Sequence, residues 1–102
     1  MAKSKGQEGK KKKVNAKNYD IELTAKAEKE VLVLDDKTFE NVSGAIDKLV
    51  SNPRPAGVRK LKGRKNEWRV RVGRYRILYA IDDSKKHILI YCVTHRKEIY
   101  RK

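Results

Sequence analysis

The chain has 102 residues, room for one domain with a small core, and its residues are 38% apolar against 39% charged. A single cysteine excludes an intrachain disulfide, and no run approaches the roughly 18 apolar residues of a membrane-spanning helix. A formal charge of +14 points to a polyanionic partner, while the basic N-terminus lacks the apolar segment of a secretory leader, so a cytoplasmic, reducing setting is expected.

Residues 1–18 hold seven lysines, one glutamate and one valine, with no apolar period, and are expected to form a disordered basic arm ahead of a domain spanning residues 19–102. "YDIEL" (19–23) alternates apolar and charged residues, as a first strand does. Thr24 then suits an N-cap for a helix running to about Leu34, with Ala27, Val31 and Leu34 on one face. Asp35-Asp36 break this helix and cap a second one, in which Phe39, Val42, Ile46, Leu49 and Val50 recur at helical spacing. "SNPRP" (51–55) stops it, because proline cannot continue a helix and restricts the residue before it.

"VRKLKG" (58–63) reads as a short or edge strand. "EWRVRVG" and "RYRILYAID" read as an antiparallel pair turning near Gly73-Arg74. "DDSKK" (82–86) is a further turn, and "HILIYCV" (87–93) a last long strand. The expected fold is α+β in β-α-α-β-β-β order, with two helices packed on one face of a three- to four-stranded antiparallel sheet.

Charge is segregated along this plan. Residues 19–52 carry four basic and eight acidic groups, whereas residues 53–76 carry ten basic groups and only Glu67 as an acid. Within that basic block Arg69 and Arg71 alternate with Trp68, Val70 and Val72, so both guanidinium groups share one strand face, where like charges repel. Parity on the following strand sets Tyr75, Ile77, Tyr79 and Ile81 under the helices and directs Arg76 outward, toward the arginine pair. His95, Arg96 and Tyr100, just past the last strand, are expected to reach the same open face. Lys60, Lys62, Arg64, Lys65 and Arg74 add a basic loop set suited to an RNA backbone. The plainer alternatives are a solvated strand face for the arginines, a structural histidine at position 95 and a surface aromatic at position 100.

No Gly-rich phosphate loop, paired catalytic carboxylates or metal-ligand cluster is visible, so no cofactor is expected. What remains is cation, imidazole and phenol. Such groups can run metal-free RNA transesterification, in which the RNA supplies its own 2′-hydroxyl nucleophile. The protein must remove that proton, stabilise charge on phosphorus and assist the leaving 5′-oxygen.

"NPRPAGVRKLKG", "WRVRVGRYRILY" and "THRKEIY" resemble the RelE/ParE toxin superfamily of bacterial and archaeal toxin–antitoxin systems, over about residues 19–102. The resemblance implies a ribosome-dependent mRNA endonuclease of the RelE branch. Alternatives are a ParE-like toxin that inhibits DNA gyrase, or a non-catalytic basic RNA-binding protein. It also implies an acidic antitoxin partner, whose complex with the toxin can bind operator DNA, and the ribosomal A site with its mRNA as target. The alternating basic pair of the family falls on Arg69 and Arg71, where RelE itself is lysine-rich. Arg76 falls on a phosphate clamp, Arg96 on a group assisting departure of the 5′-oxygen, and Tyr100 on a residue that orients or stacks on a base. Arginine resists deprotonation, so the general base is open between His95 and Tyr100, with Arg71 organising the site.

Overall fold

The computed structural model describes residues 18–95. Strand β1 (Asp20–Leu23) leads directly into helix α1 (Ala25–Leu32), which starts where Thr24 Oγ1 accepts the Ala27 amide at 3.1 Å. Asp35 does the same for helix α2 (Asp36–Ser51), accepting the Thr38 amide at 2.8 Å. Hydrogen bonding to Thr38 lowers the Asp35 pKa. The helix stops at Asn52, which is extended at φ −147 ahead of Pro53.

Four strands follow: β2 (Arg59–Lys60), β3 (Glu67–Val72), β4 (Tyr75–Asp82) and β5 (His87–His95). They form a five-stranded sheet in the order β1-β5-β4-β3-β2. All neighbours are antiparallel except β1, which runs parallel to β5 with Asp20 opposite His87 and Leu23 opposite Ile90. The α+β arrangement and its helix pair are as expected. The strand count is not: the sheet is larger than three or four strands because "YDIEL" joins its edge. Ile21 and Leu23 pack there against the core, and a parallel pairing across two intervening helices leaves no local turn signal.

The β3–β4 hairpin pairs Val72 with Tyr75 and leaves Gly73-Arg74 as a two-residue turn, with Gly73 at φ 59 as a type II′ turn demands. The β4–β5 turn is tied by Asp82, whose carboxylate accepts from the Ser84 hydroxyl at 2.8 Å and the Lys85 amide at 3.1 Å. The helices cover one face. Ala27, Val31, Val42 and Leu49 meet Ile77, Tyr79, Ile81, Ile88, Ile90 and Val93 there, each large aliphatic contributing about 1.5–3 kcal/mol of burial. Tyr79 is fully buried and its hydroxyl donates to the Pro53 carbonyl at 2.7 Å, so the helix exit is pinned to the middle of the sheet. No helix among the described residues is long and apolar enough to cross a membrane.

Candidate functional site

The sheet face opposite the helices carries the arginines. On β3, Arg69 and Arg71 point away from the side on which Trp68, Val70 and Val72 pack against the core. Across the strands Arg69 stands opposite Arg59 of β2, and Arg71 stands opposite Arg76 of β4. These two like-charge pairs line a cavity of about 350 Å³ together with Ala56, Gly57 and Val70. Arg71 is exposed, Arg69 is half-buried, and Arg76 is only 2% exposed, so it forms the inner wall. Among the described residues no carboxylate is within ion-pair distance of Arg59, Arg69 or Arg71. Direct like-charge pairs cost stability in a sheet. An anion seated among them would reverse that sign.

Arg59 owes its place to the loop before it. Val58 donates its amide to the Pro55 carbonyl at 3.2 Å, and Gly57 takes φ 91, the conformation that a type II turn requires at its third residue. The turn delivers the chain to β2 beside β3. Sequence reasoning placed a short strand here but did not single out Arg59. The signal was the register: once Leu61 and Glu67 close the loop through a 2.8 Å backbone bond, Arg59 must face Arg69.

Two expectations are corrected. Arg76 shares the arginine face, but on the central strand β4, with Arg71 and Thr94 on the strands either side, it is buried rather than projecting outward. His95 is not on that face. The β4–β5 pairing shifts register between Leu78 and Tyr79, so Tyr91 and Cys92 take up an extra position and alternation beyond them inverts. Val93 therefore enters the core, Thr94 lies beside Arg76, and His95 falls opposite Tyr75. The two rings meet edge to face at 5.3 Å, in a small cavity of about 150 Å³ that Glu30, Val33 and Leu34 also line.

The loop cations divide. Lys60 donates to the Arg64 carbonyl at 3.0 Å and Arg64 pairs with Glu67 at 3.1 Å, so both stabilise the loop itself. Lys62, Lys65 and Arg74 are exposed. Glu67 also accepts the Tyr91 hydroxyl at 2.8 Å. Burial first and this carboxylate second push the Tyr91 pKa up to about 12, which keeps it a neutral donor. Arg96 and Tyr100 lie outside the described residues, as does the basic arm up to residue 17.

A second cluster, built around Arg54, behaves differently. Arg54 donates to both Asp83 oxygens, at 2.8 and 3.3 Å, and to the Asn66 side-chain oxygen at 2.8 Å, with its guanidinium 5.2 Å from the centroid of the Trp68 ring. Asn66 also accepts from Trp68 Nε1 at 3.0 Å and donates to Asp83 at 3.2 Å, and the Tyr19 hydroxyl donates to Asp83 at 2.7 Å. The Arg54 guanidinium, followed by the Tyr19 and Asn66 bonds, holds the Asp83 carboxyl well below the usual carboxylate range. This corner ties the helix exit, the start of β1, the loop before β3 and the β4–β5 turn together.

The family description "ParE toxin of type II toxin-antitoxin system, parDE" matches residues 21–100. The chain belongs to this family. No curated protein matches it by sequence. Among solved structures, the fold is similar to that of archaeal RelE in a RelE–RelB complex from Pyrococcus horikoshii OT3, at 25% identity and a TM-score of 0.71 over 78% of this chain and 96% of that one. The toxin of the RelBE2 toxin–antitoxin complex from Mycobacterium tuberculosis is 27% identical, with a TM-score of 0.67 over 78% and 99% of the two chains. A YoeB/ParE toxin from Agrobacterium tumefaciens shares the fold at 16% identity and a TM-score of 0.66 over 74% and 96%. The ParE-family chain is thus a type II toxin of the RelE/ParE superfamily, with the arginine cavity on the sheet face that its helices leave open.

Proposed function

We propose that this toxin is an endoribonuclease that cuts mRNA on the ribosome, with the arginine face as its phosphate site. The observation that carries the reading is the cavity walled by Arg69, Arg71 and Arg76. Cleavage joins the 2′-oxygen to the adjacent phosphorus and breaks the bond from phosphorus to the 5′-oxygen, leaving a 2′,3′-cyclic phosphate and a 5′-hydroxyl. Guanidinium forks match two phosphoryl oxygens at once, and they are worth most where charge grows in the transition state. Arg76, held by its burial, and Arg71 across from it clamp those oxygens. Arg71 organises the site rather than taking a proton, since guanidinium keeps its protons. His95 lies on the other face, so Tyr100 is left to deprotonate the 2′-hydroxyl or orient a base, and Arg96 serves the leaving oxygen. The seven lysines of residues 1–18 add sequence-independent attraction to the RNA backbone.

In this reading the toxin works in the cytoplasm and is held by an acidic antitoxin that neutralises the arginine face. The Pyrococcus and Mycobacterium relatives, solved as toxin–antitoxin complexes, support that partner. A second reading, a ParE-like inhibitor of DNA gyrase, is favoured by the family match itself. The test is single-turnover incubation of the purified toxin with a programmed mRNA on 70S ribosomes, beside a gyrase supercoiling assay. Cuts inside A-site codons are expected. Intact mRNA together with blocked supercoiling would install the second reading instead.

A further inference from the structure

We infer that the arginine face takes two successive phosphates of an extended single strand, and that Arg59 is the residue that adds the second. This rests on reading that face as the RNA site. The four arginines stand in two cross-strand pairs, Arg59 with Arg69 and Arg71 with Arg76, around one cavity. Paired strands lie about 4.8 Å apart, so Arg59 and Arg69 can hold one phosphate from two sides, while the exposed Arg71 can fork onto another that rests against the buried Arg76 wall. The pairs are two residues apart along β3, roughly 6.8 Å, and lie on opposite sides of it, one strand spacing of about 4.8 Å across. Their centres therefore stand about 8 Å apart on a diagonal, a step that two consecutive phosphates of an extended strand can match once the long arginine side chains adjust. A duplex would bring its second strand against the sheet. A single strand can lay two consecutive phosphates on this diagonal across β3.

The remaining geometry fits this assignment. Arg59 is exposed and faces the cavity from the sheet edge. Gly57, one position before Val58, also lines the cavity, and no atom lies within 4 Å of where its Cβ would be. The edge is therefore open for a strand to pass between the Pro55–Val58 turn and β3. Arg71 with Arg76 would hold the scissile phosphate, and Arg59 with Arg69 the neighbouring one.

The experiment uses the full chain and uncleavable probes: 2′-O-methyl UpU, with one phosphate, and 2′-O-methyl UpUpU, with two, each titrated by NMR. The parent is expected to bind the two-phosphate probe roughly tenfold more tightly, the scale of one charge-assisted contact. Arg59→Gln should abolish most of that gain and leave UpU affinity within about twofold, and its log K against log salt slope for UpUpU should be shallower by about 0.7. Arg59→Lys should keep part of the gain, and Lys29→Gln, on the far helix α1, should change neither probe. Equal affinity of the parent for both probes, or an unchanged ratio in Arg59→Gln, overturns the inference. Cleavage of ribosome-bound mRNA is measured on the same preparations. A parent that cleaves while Arg59→Gln keeps the ratio leaves the nuclease reading standing and the two-phosphate site refuted. A parent that cannot cleave but loses the ratio on Arg59→Gln does the reverse.

Discussion

At Arg54 the guanidinium meets a carboxylate, an amide oxygen and an indole ring, whereas the cross-strand neighbours of Arg59, Arg69 and Arg71 are other arginines or apolar residues. Both clusters belong to the same basic stretch and both border β3. Burial does not separate them, since Arg54 and Arg69 are both partly exposed. What separates them is the chemistry opposite each group. Where the fold supplies the anion, arginine is a clamp between loops. Where the fold sets Arg59 against Arg69, no carboxylate of the described residues is in ion-pair reach, and an anion has to come from elsewhere.

The sharpest way to break this contrast is Arg71→Gln. Arg71 is exposed, so the fold should persist, yet cleavage of ribosome-bound mRNA is expected to fall by about 10²-fold, the usual scale for losing one electrostatic stabiliser. Single-turnover kinetics with circular dichroism as the folding check would measure it, and parent-like cleavage would remove Arg71 from the site. Arg54→Gln should do the opposite. It should leave cleavage by the folded protein within about twofold but lower Tm by several degrees, since roughly 1 kcal/mol from a charge network shifts a domain of this size by about 4–8 °C. Unchanged thermal stability would mean the corner is ornamental.

Acid sharpens the same contrast. The Asp83 carboxyl is held below its ordinary value, so its contribution to stability is full above about pH 4, the unfolded carboxylate range, and is lost as pH falls through the lower folded value. Thermal melts between pH 7 and pH 2 should show Asp83→Asn less stable than the parent at neutral pH, with the gap closing toward the acid end. A gap that stays constant would assign the effect to packing. The smallest effect is on the arginine face. Arg69→Thr deletes one member of a like-charge pair and adds a β-branched residue to a strand. A rise in Tm of up to a few degrees is expected, on the scale of about 0.2–1 kcal/mol for a cross-strand pair. A fall would mean that Arg69 contributes more by packing than it costs by repulsion.

Much of this was legible in the chain because the signals are local. Thr24 and Asp35 cap where a short polar side chain precedes an apolar helical stripe, Pro53 stops α2, and Gly73 marks the hairpin. The alternation of Arg69 and Arg71 with valines was enough to set their face. What failed depended on pairing between distant segments. β1 joins β5 across more than sixty residues, a contact with no turn to announce it. His95 was misplaced because "HILIYCVTH" gives no hint that one extra residue is accommodated at Tyr91-Cys92, and a single such insertion exchanges the faces of everything after it. Arg59 was passed over for the same reason: its importance lies in a register, and a two-residue strand shows no periodicity. The depth of Arg76 also needed both neighbouring strands in place.

Glu30 has a bearing on how this protein behaves in a crowded solution. β1 shields β5 only as far as Ile90, and beyond that point the outer rim of β5 continues to His95. Glu30 reaches across from α1, accepts the Val93 amide at 2.7 Å with one oxygen and holds the Lys26 ammonium at 2.7 Å with the other. A carboxylate thus fills the hydrogen-bonding slot that a foreign strand would seek first. Bare strand rims are templates for polymerisation, and covering them with charge is one of the ways folded proteins stay apart. Any chain that extends the sheet on this side must first evict an ion-paired acid, so coalescence of toxin molecules through this rim is disfavoured before a single new backbone bond can form.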